Sequence, residues 1–213
     1  MTSLSVVRQC PGIPDGPMSW LRSDAGFDPL AAASSGMDVW PDVAGGGAPF
    51  ARPHGATAPR FMSSGGPDGL PFVRFNGAAD ALLLVESAVP LVRDFVVFMV
   101  ARYTPGTLLK GRVMQGVGEN WACGYSTGGR RGMYVYDGAV YEDTSVPPLA
   151  ASESWSISTC VATTTRYVNE FRTDGVRRGT SAVNYQQPFG LVIGTGGYRS
   201  DPSNVSLCVC RCT

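Results

Sequence analysis

Ten residues near the middle of the chain decide the fold class: Asp94-Phe95-Val96-Val97-Phe98-Met99-Val100-Ala101-Arg102-Tyr103. Valine, phenylalanine and tyrosine dominate this stretch, which favours a β-strand over a buried helix. Both alternating sets of side chains are apolar: Phe95, Val97 and Met99 form one set, and Val96, Phe98 and Val100 form the other. We therefore predict a central strand that is covered on both faces.

Further short apolar runs lie on either side of this strand, and each ends at turn-forming residues. They cover residues 71–75, 81–85, 132–136, 139–141, 155–162, 166–173, 176–183, 190–193 and 205–212. Asn76-Gly77, Asp137-Gly138 and Asp174-Gly175 predict tight hairpin turns between neighbouring runs. A further predicted hairpin joins the runs 155–162 and 166–173 across Thr163-Thr164-Thr165. Strands that recur every 8–12 residues or so are typical of sandwiches or barrels. We predict an all-β fold, a two-sheet antiparallel β-sandwich.

The length of 213 residues suits one β domain spanning residues 1–213. Residues 1–70 are rich in Gly, Pro, Ala and Ser, but they also contain Trp20, Phe27, Trp40, Phe50 and Phe61. Aromatic residues at this frequency are unusual in a segment that stays unfolded. We predict that residues 1–70 form a loop-rich part of the same domain, with short edge strands.

Charge and hydropathy exclude several classes of partner. Seventeen basic and seventeen acidic residues give no net charge, which argues against nucleic-acid binding. No apolar stretch approaches the ~18–20 residues of a membrane span, so no membrane insertion is expected. Residues 1–10 lack the apolar core of a signal peptide. We therefore expect cytosolic synthesis, followed by location in a virion or on an extracellular surface, because virion components leave the cell by lysis.

Six cysteines are present: Cys10, Cys123, Cys160, Cys208, Cys210 and Cys212. An even number permits three disulfides, with the three C-terminal cysteines on one strand face opposite the other three. Neighbours on that face lie roughly 7 Å apart, which is long for bonding to each other. Without a secretion signal, reduced and half-buried thiols are the expected state. The Cys-x-Cys-x-Cys spacing does not match a usual zinc site.

The order of the predicted strands and turns resembles that of the concanavalin A-like lectin/glucanase superfamily, and within it the laminin-G-like branch. The resemblance covers nearly the whole chain and is carried by Ser19-Trp20, Asp24, residues 40–45, Phe75-Asn76-Gly77, residues 78–80, residues 95–103, Trp155-Ser156-Ile157, Thr173-Asp174-Gly175 and residues 191–194. It implies a concanavalin A-like jelly roll. Members of the branch usually continue into a further strand and a short helix, whereas this chain ends at Thr213. The closing strand is thus either residues 205–212 or one supplied by another subunit.

The sequence carries no recognisable catalytic set. Glucan-cleaving members of the superfamily place Glu-x-Asp-x-x-Glu on one strand, so that two carboxylates flank one glycosidic bond. Here the adjacent acidic pair Glu142-Asp143 is followed by no further acidic residue up to Leu149. His54 is the single histidine, which excludes a multi-histidine zinc site and leaves a Ser-His-Asp triad with one candidate base. We predict that the protein is not an enzyme.

Two kinds of binding residue remain as candidates. Trp121, Tyr125, Tyr134, Tyr136, Tyr141 and Tyr198 could stack on sugar rings or contact a partner, although core packing is the alternative for each of them. Asp24, Asp42 and Asp80 lie near glycines, and they are weak calcium candidates because carboxylates and loop carbonyls are calcium ligands. Turn formation is the alternative for these aspartates. No other cofactor is expected.

These observations favour a non-enzymatic module that is structural, mediates interactions or binds glycans. The expected setting is a virion, as a minor capsid, decoration or tail protein, with other protein subunits of a large assembly as partners. A polysaccharide hydrolase or lyase of the same superfamily is the first alternative. A soluble lectin is the second.

Overall fold

The computed structural model describes residues 21, 23, 25, 28–43, 48–76, 79–84, 95–103, 113–117, 121–125, 131–135, 138–141, 154–163, 168–181, 190–194 and 205–208. Within these ranges the chain forms an α-helix, α1 (Pro29–Ser35), a short 3-10 helix (Pro67–Gly69) and fifteen β-strands. In chain order the strands are β1 (Val39–Trp40), β2 (Phe50–Ala51), β3 (Arg60–Met62), β4 (Phe72–Arg74), β5 (Ala81–Leu84), β6 (Phe95–Tyr103), β7 (Met114–Gly116), β8 (Trp121–Tyr125), β9 (Arg131–Val135), β10 (Gly138–Tyr141), β11 (Ser156–Thr163), β12 (Val168–Thr173), β13 (Val176–Ser181), β14 (Leu191–Gly194) and β15 (Val205–Cys208).

The strands form two antiparallel sheets. An eight-stranded sheet has the order β1-β2-β5-β14-β7-β8-β9-β10, and a seven-stranded sheet has the order β13-β12-β11-β6-β15-β4-β3. Inward-facing side chains of both sheets share one hydrophobic core, which includes Trp40, Phe50, Leu82, Trp121 and Ile193 from the first sheet and Phe61, Val73, Met99, Ala101 and Phe171 from the second. The prediction of an all-β, two-sheet antiparallel sandwich is confirmed.

Three predicted hairpins are present. β9 and β10 pair with Val135 opposite Gly138, and β11 and β12 pair along six residues each. β12 and β13 are joined by Asp174-Gly175, with φ angles of 50° and 78°. Two consecutive positive φ angles define the type I′ turn, whose twist matches that of the flanking strands. For Asp174-Gly175, local turn chemistry was sufficient to predict the pairing.

A fourth predicted hairpin, across Asn76-Gly77, is wrong. β4 pairs with β3 and β15 in the seven-stranded sheet, whereas β5 pairs with β2 and β14 in the eight-stranded sheet. The segment between them carries the chain from one sheet to the other. A buried carboxylate holds this crossover, because Asp80 Oδ2 accepts the backbone N–H of Asn76 at 2.7 Å and Asp80 Oδ1 accepts the hydroxyl of Thr57.

The C-terminal strand completes the seven-stranded sheet from within the same chain. β15 lies between β6 and β4, with Leu207 paired to both Ala101 and Val73. Of the two alternatives for the closing strand, the structure shows the one in which residues 205–208 supply it. β6 is an internal strand, as predicted, with β11 on its other side.

A disulfide joins the two sheets through the core. Cys123 on β8 and Cys160 on β11 are bonded, their Cα atoms lie 6.2 Å apart, and both residues have 0% exposure. The expectation of reduced thiols is therefore wrong for this pair. The two cysteines meet because they occupy inward-facing positions on opposite sheets. Cys10, Cys210 and Cys212 lie outside the described residues.

The helix α1 lies in the loop-rich N-terminal part and packs against β3. Asp28 begins it, since its Oδ1 accepts the N–H of Leu30 at 2.9 Å and Pro29 occupies the first helical position. With seven residues α1 is too short to span a membrane, and the described part of the chain contains no helix that could do so.

Candidate interaction surface

The outward face of the seven-stranded sheet carries exposed apolar side chains. On β6, Phe95 and Val97 pack against the core, so the alternating residues Val96 and Phe98 point outward. Val96 is 50% exposed and Phe98 is 57% exposed. Ile157 on β11 is 41% exposed and lies diagonally across from Phe98, because Thr159 is the residue directly opposite. We call Val96, Phe98 and Ile157 the apolar strip.

A second group on the same face surrounds an arginine. The Arg102 guanidinium lies 4.8 Å from the centroid of the Trp155 ring and 5.8 Å from that of Phe72. The two rings meet edge-to-face with their centroids 5.4 Å apart. Arg102 Nη2 and Trp155 Nε1 both donate to the carbonyl oxygen of Gly65, at 3.4 and 3.3 Å. We call Arg102, Trp155 and Phe72 the Arg102 cluster.

The apolar strip and the Arg102 cluster are continuous. Val100 on β6 lies between Phe98 and Arg102 in the outward series, and it is buried against Phe72, with Trp155 and Met62 packed around them. Arg102 follows Phe98 by four positions on β6, which corresponds to about 13 Å along the strand. The face thus presents an apolar centre that is bordered on one side by a cation lying over two aromatic rings.

The opposite border of the strip is polar. Glu170 and Arg172 on β12 form an ion pair, with side chains 16% and 46% exposed respectively. Arg172 lies directly opposite Thr159, which in turn lies opposite Phe98, so the three residues form one row across the sheet. An apolar centre with a charged rim is the usual composition of a protein–protein interface.

The edge of this sheet that is formed by β13 is poorly suited to adding a strand. β13 is an edge strand, and its pairing with β12 is interrupted: Phe171 faces Gly179 and Arg172 faces Arg177, which leaves Arg178 as the extra residue of a bulge. Bulges and charged side chains on edge strands oppose edge-to-edge pairing. The exposed face is therefore a better candidate for binding than this edge.

The sequence-based prediction that β6 is covered on both faces is wrong for its N-terminal half. An internal position in the sheet was inferred correctly, but burial of the outer face requires a further layer, and Val96 and Phe98 remain half exposed. Neither residue was singled out as a binding residue, and neither were Ile157, Trp155 and Arg102. The sequence signal for the exposed face was the second apolar set of β6. Packing against a single core requires an apolar set on one face of the strand only.

The predicted aromatic contacts have mixed outcomes. Trp121 is fully buried in the core, where its ring meets Phe95 edge-to-face with the centroids 5.4 Å apart, so it cannot contact a ligand at the surface. The burial of this residue shows that its predicted role in surface contact is wrong. Tyr134 lies opposite Ala122 and Ala139 in the sheet, Tyr125 opposite Arg131, and Tyr141 opposite Gly132. Tyr136 and Tyr198 lie outside the described residues.

Two of the three calcium candidates, Asp42 and Asp80, lie in the part of the chain that the structure describes. Asp80 is 4% exposed and its two oxygens accept hydrogen bonds at the crossover from β4 to β5. Asp42 forms an isolated bridge with Leu21, far along the chain from Asp80, and Asp24 lies outside the described residues. No group of three or more His, Cys, Asp or Glu side chains suited to a metal occurs among the residues searched.

Several carboxylates of the described residues are engaged in structural contacts. Asp38 pairs with Arg52 at 2.6 Å, Glu170 pairs with Arg172, and Asp174 Oδ1 accepts the N–H of Ile157 at 2.8 Å. Asp80 is the one buried carboxylate among them, and it is held by Thr57 and Asn76. His54, the single histidine, is exposed on a loop. The arrangement offers surface for binding.

Comparison with known proteins adds no support to the resemblance. No family model matches the chain, and no curated protein is significantly similar to it. The laminin-G-like resemblance therefore stays a prediction, and the apolar strip with the Arg102 cluster is the feature on which a functional conclusion rests.

Proposed function

We propose that the protein is a non-enzymatic interaction module that docks on another protein subunit through the outer face of its seven-stranded sheet. One observation carries this proposal: Phe98, a large apolar side chain on an internal strand, is 57% exposed beside the exposed Val96 and Ile157. Solvent exposure of three neighbouring large apolar side chains is unfavourable, and contact with a partner would remove their surface from water.

The composition of the face favours a protein over a glycan. Sugar rings stack on free aromatic faces, but the ring of Trp155 already contacts the Arg102 guanidinium and Phe72. Aliphatic side chains, an aromatic residue and arginines of the kind found here are typical of protein interfaces. A virion as the setting stays a prediction from the sequence.

Replacement of Phe98 by glutamate tests the proposal. The variant places a charge in the centre of the apolar strip, and we expect its affinity for the native assembly to fall at least about thirtyfold, because a central apolar anchor contributes ~2 kcal/mol or more. The measurement is co-sedimentation of the chain with large assemblies from the cells that produce it, with circular dichroism to verify folding.

Val176→Glu is the matched control. Val176 is 53% exposed on β13 but lies at the Asp174-Gly175 turn, outside the apolar strip. We expect this variant to sediment like the unmodified chain. Equal co-sedimentation of a folded Phe98→Glu variant would contradict the proposal, as would a wild-type chain that sediments only as a free monomer.

A further inference from the structure

We infer that the partner of the outer face presents a carboxylate to Arg102, about 13 Å from the group that covers Phe98. This inference rests on the proposed function and specifies the chemistry of the partner: a protein segment with an acidic side chain beside an apolar one. The inference is based on the environment of Arg102, whose guanidinium is held in place but has no anionic partner among the described residues.

Arg102 is held in a fixed position. Its guanidinium is 4.8 Å from the Trp155 ring centroid and 5.8 Å from the Phe72 centroid, and Nη2 donates to Gly65 O at 3.4 Å. The carbonyl of Gly65 also accepts the indole N–H of Trp155, so one backbone group fixes both side chains. A guanidinium that is already oriented loses little conformational freedom when it binds a carboxylate.

The positive charge of Arg102 has no anionic partner among the described residues. A guanidinium carries five N–H donors, and here one of them makes the long bond to Gly65, while the Nε atom is buried without a hydrogen-bond partner. The described acidic residues on the same sheet are used elsewhere, Glu170 by Arg172 and Asp174 by the N–H of Ile157. A partly buried cation without an anion is electrostatically unfavourable, and a carboxylate is the group that pairs with guanidinium bidentately.

The position of Arg102 relative to the apolar strip defines the spacing in the partner. Both lie on β6 and face outward, with Val100 between them buried against Phe72. An extended segment with an apolar side chain and an aspartate or glutamate four residues apart spans the same ~13 Å. This combination of groups, at a fixed spacing, is characteristic of a polypeptide.

The Arg102→Lys variant allows the partner's carboxylate to be identified by covalent cross-linking. Lys110 is the single lysine of the chain, so the variant adds one amine at a known position. A water-soluble carbodiimide activates a carboxylate, and a contacting amine displaces the corresponding urea to form an amide. We expect treatment of the native assembly to couple the amine at position 102 to an aspartate or glutamate of the partner, identified by mass spectrometry.

Arg52→Lys provides the matched control. Arg52 lies 2.6 Å from Asp38, so the amine at position 52 is expected to couple to Asp38 within the same chain. If this control couples while the amine at position 102 does not, the inference is wrong. Coupling at position 102 to a carboxylate of the same chain, or to a uronic acid of a glycan, would also overturn it.

Arg102→Gln gives a second measurement that does not depend on cross-linking. Loss of a charge-assisted hydrogen bond should weaken association about tenfold or more, and it should reduce the salt sensitivity of the wild-type complex. Unchanged affinity in a folded Arg102→Gln variant would refute the inference that the partner presents a carboxylate to Arg102. In that case a persistent effect of Phe98→Glu would still support the proposed function, whereas loss of the Phe98 effect would refute the docking face itself.

Discussion

At the residue scale, Asp80 shows how a single buried carboxylate organises the connection between the sheets. It was considered as a calcium ligand, but the structure shows its oxygens accepting from Thr57 and from the backbone N–H of Asn76. Asn76 Oδ1 in turn accepts the N–H of Ala79 at 3.2 Å. Aspartate and asparagine are favoured in such turns because they bond to nearby backbone donors.

Replacement of Asp80 by alanine should therefore destabilise the fold. The variant leaves the Thr57 hydroxyl and the Asn76 N–H without their acceptor at a site that is 4% exposed. We expect a loss of about 1–3 kcal/mol in the free energy of unfolding, measured by urea denaturation.

Asp38→Ala is the comparison for this variant. Asp38 makes an ion pair with Arg52, but the two side chains are 67% and 39% exposed. Exposed pairs contribute less than about 1 kcal/mol, so this variant should unfold close to the wild-type midpoint. Equal losses in the two variants would contradict the structural role assigned to Asp80.

At the element scale, local turn chemistry and close packing make different demands on glycine. Gly175 has a φ of +78° in the turn between β12 and β13, and a Cβ atom there would meet no atom within 4 Å. Gly194 at the end of β14 has a φ of +91°, and a Cβ atom there would lie 2.2 Å from Asp80 O and 2.9 Å from Phe75 Cδ1. Both positions require the left-handed conformation, but only Gly194 also requires the absence of a side chain.

Alanine substitutions at Gly175 and Gly194 separate the conformational cost of a positive φ from the steric cost of a Cβ atom. Gly175→Ala should lose only the conformational term, about 1–2 kcal/mol. Gly194→Ala should lose at least ~1–3 kcal/mol more, because the backbone of Asp80 would have to move. Thermal and urea unfolding of both variants measures the difference, and equal losses would show that the contact at Gly194 is not tight.

At the scale of the whole molecule, the disulfide between Cys123 and Cys160 links the two sheets through the shared core. The bond closes a loop with a sequence separation of 37 residues, which corresponds to about 4 kcal/mol in the chain-entropy description. Both cysteines have 0% exposure, so a reductant cannot reach the sulfur atoms while the sheets are packed.

Two results are expected from this bond. Peptide mapping under non-reducing conditions should recover a fragment in which Cys123 and Cys160 are linked. The oxidised protein should keep this link in reductant alone and lose it when guanidinium is added, after which its unfolding midpoint should fall. Rapid reduction without denaturant would contradict the buried position of the bond, and two free thiols in the native protein would contradict the bond itself.

Some features of this protein were determined by the sequence alone, because they depend on residues that are close along the chain. The alternation of apolar residues predicted the strands, and Asp174-Gly175 and Asp137-Gly138 predicted hairpins. The period of a strand and the φ angles of a turn are local properties. The absence of a recognisable catalytic motif led in the same way to the expectation of a binding module.

Other features were decided only by the tertiary structure, because they depend on which distant segments meet. From the sequence one could not assign β4 and β5 to different sheets, pair Cys123 with Cys160, or place Arg102 over the rings of Phe72 and Trp155. The sequence also could not show that one apolar set of β6 is buried while Val96 and Phe98 remain exposed. Burial is a property of the layers that pack around a strand, and a strand with two apolar faces has the same sequence whether one face or both are covered.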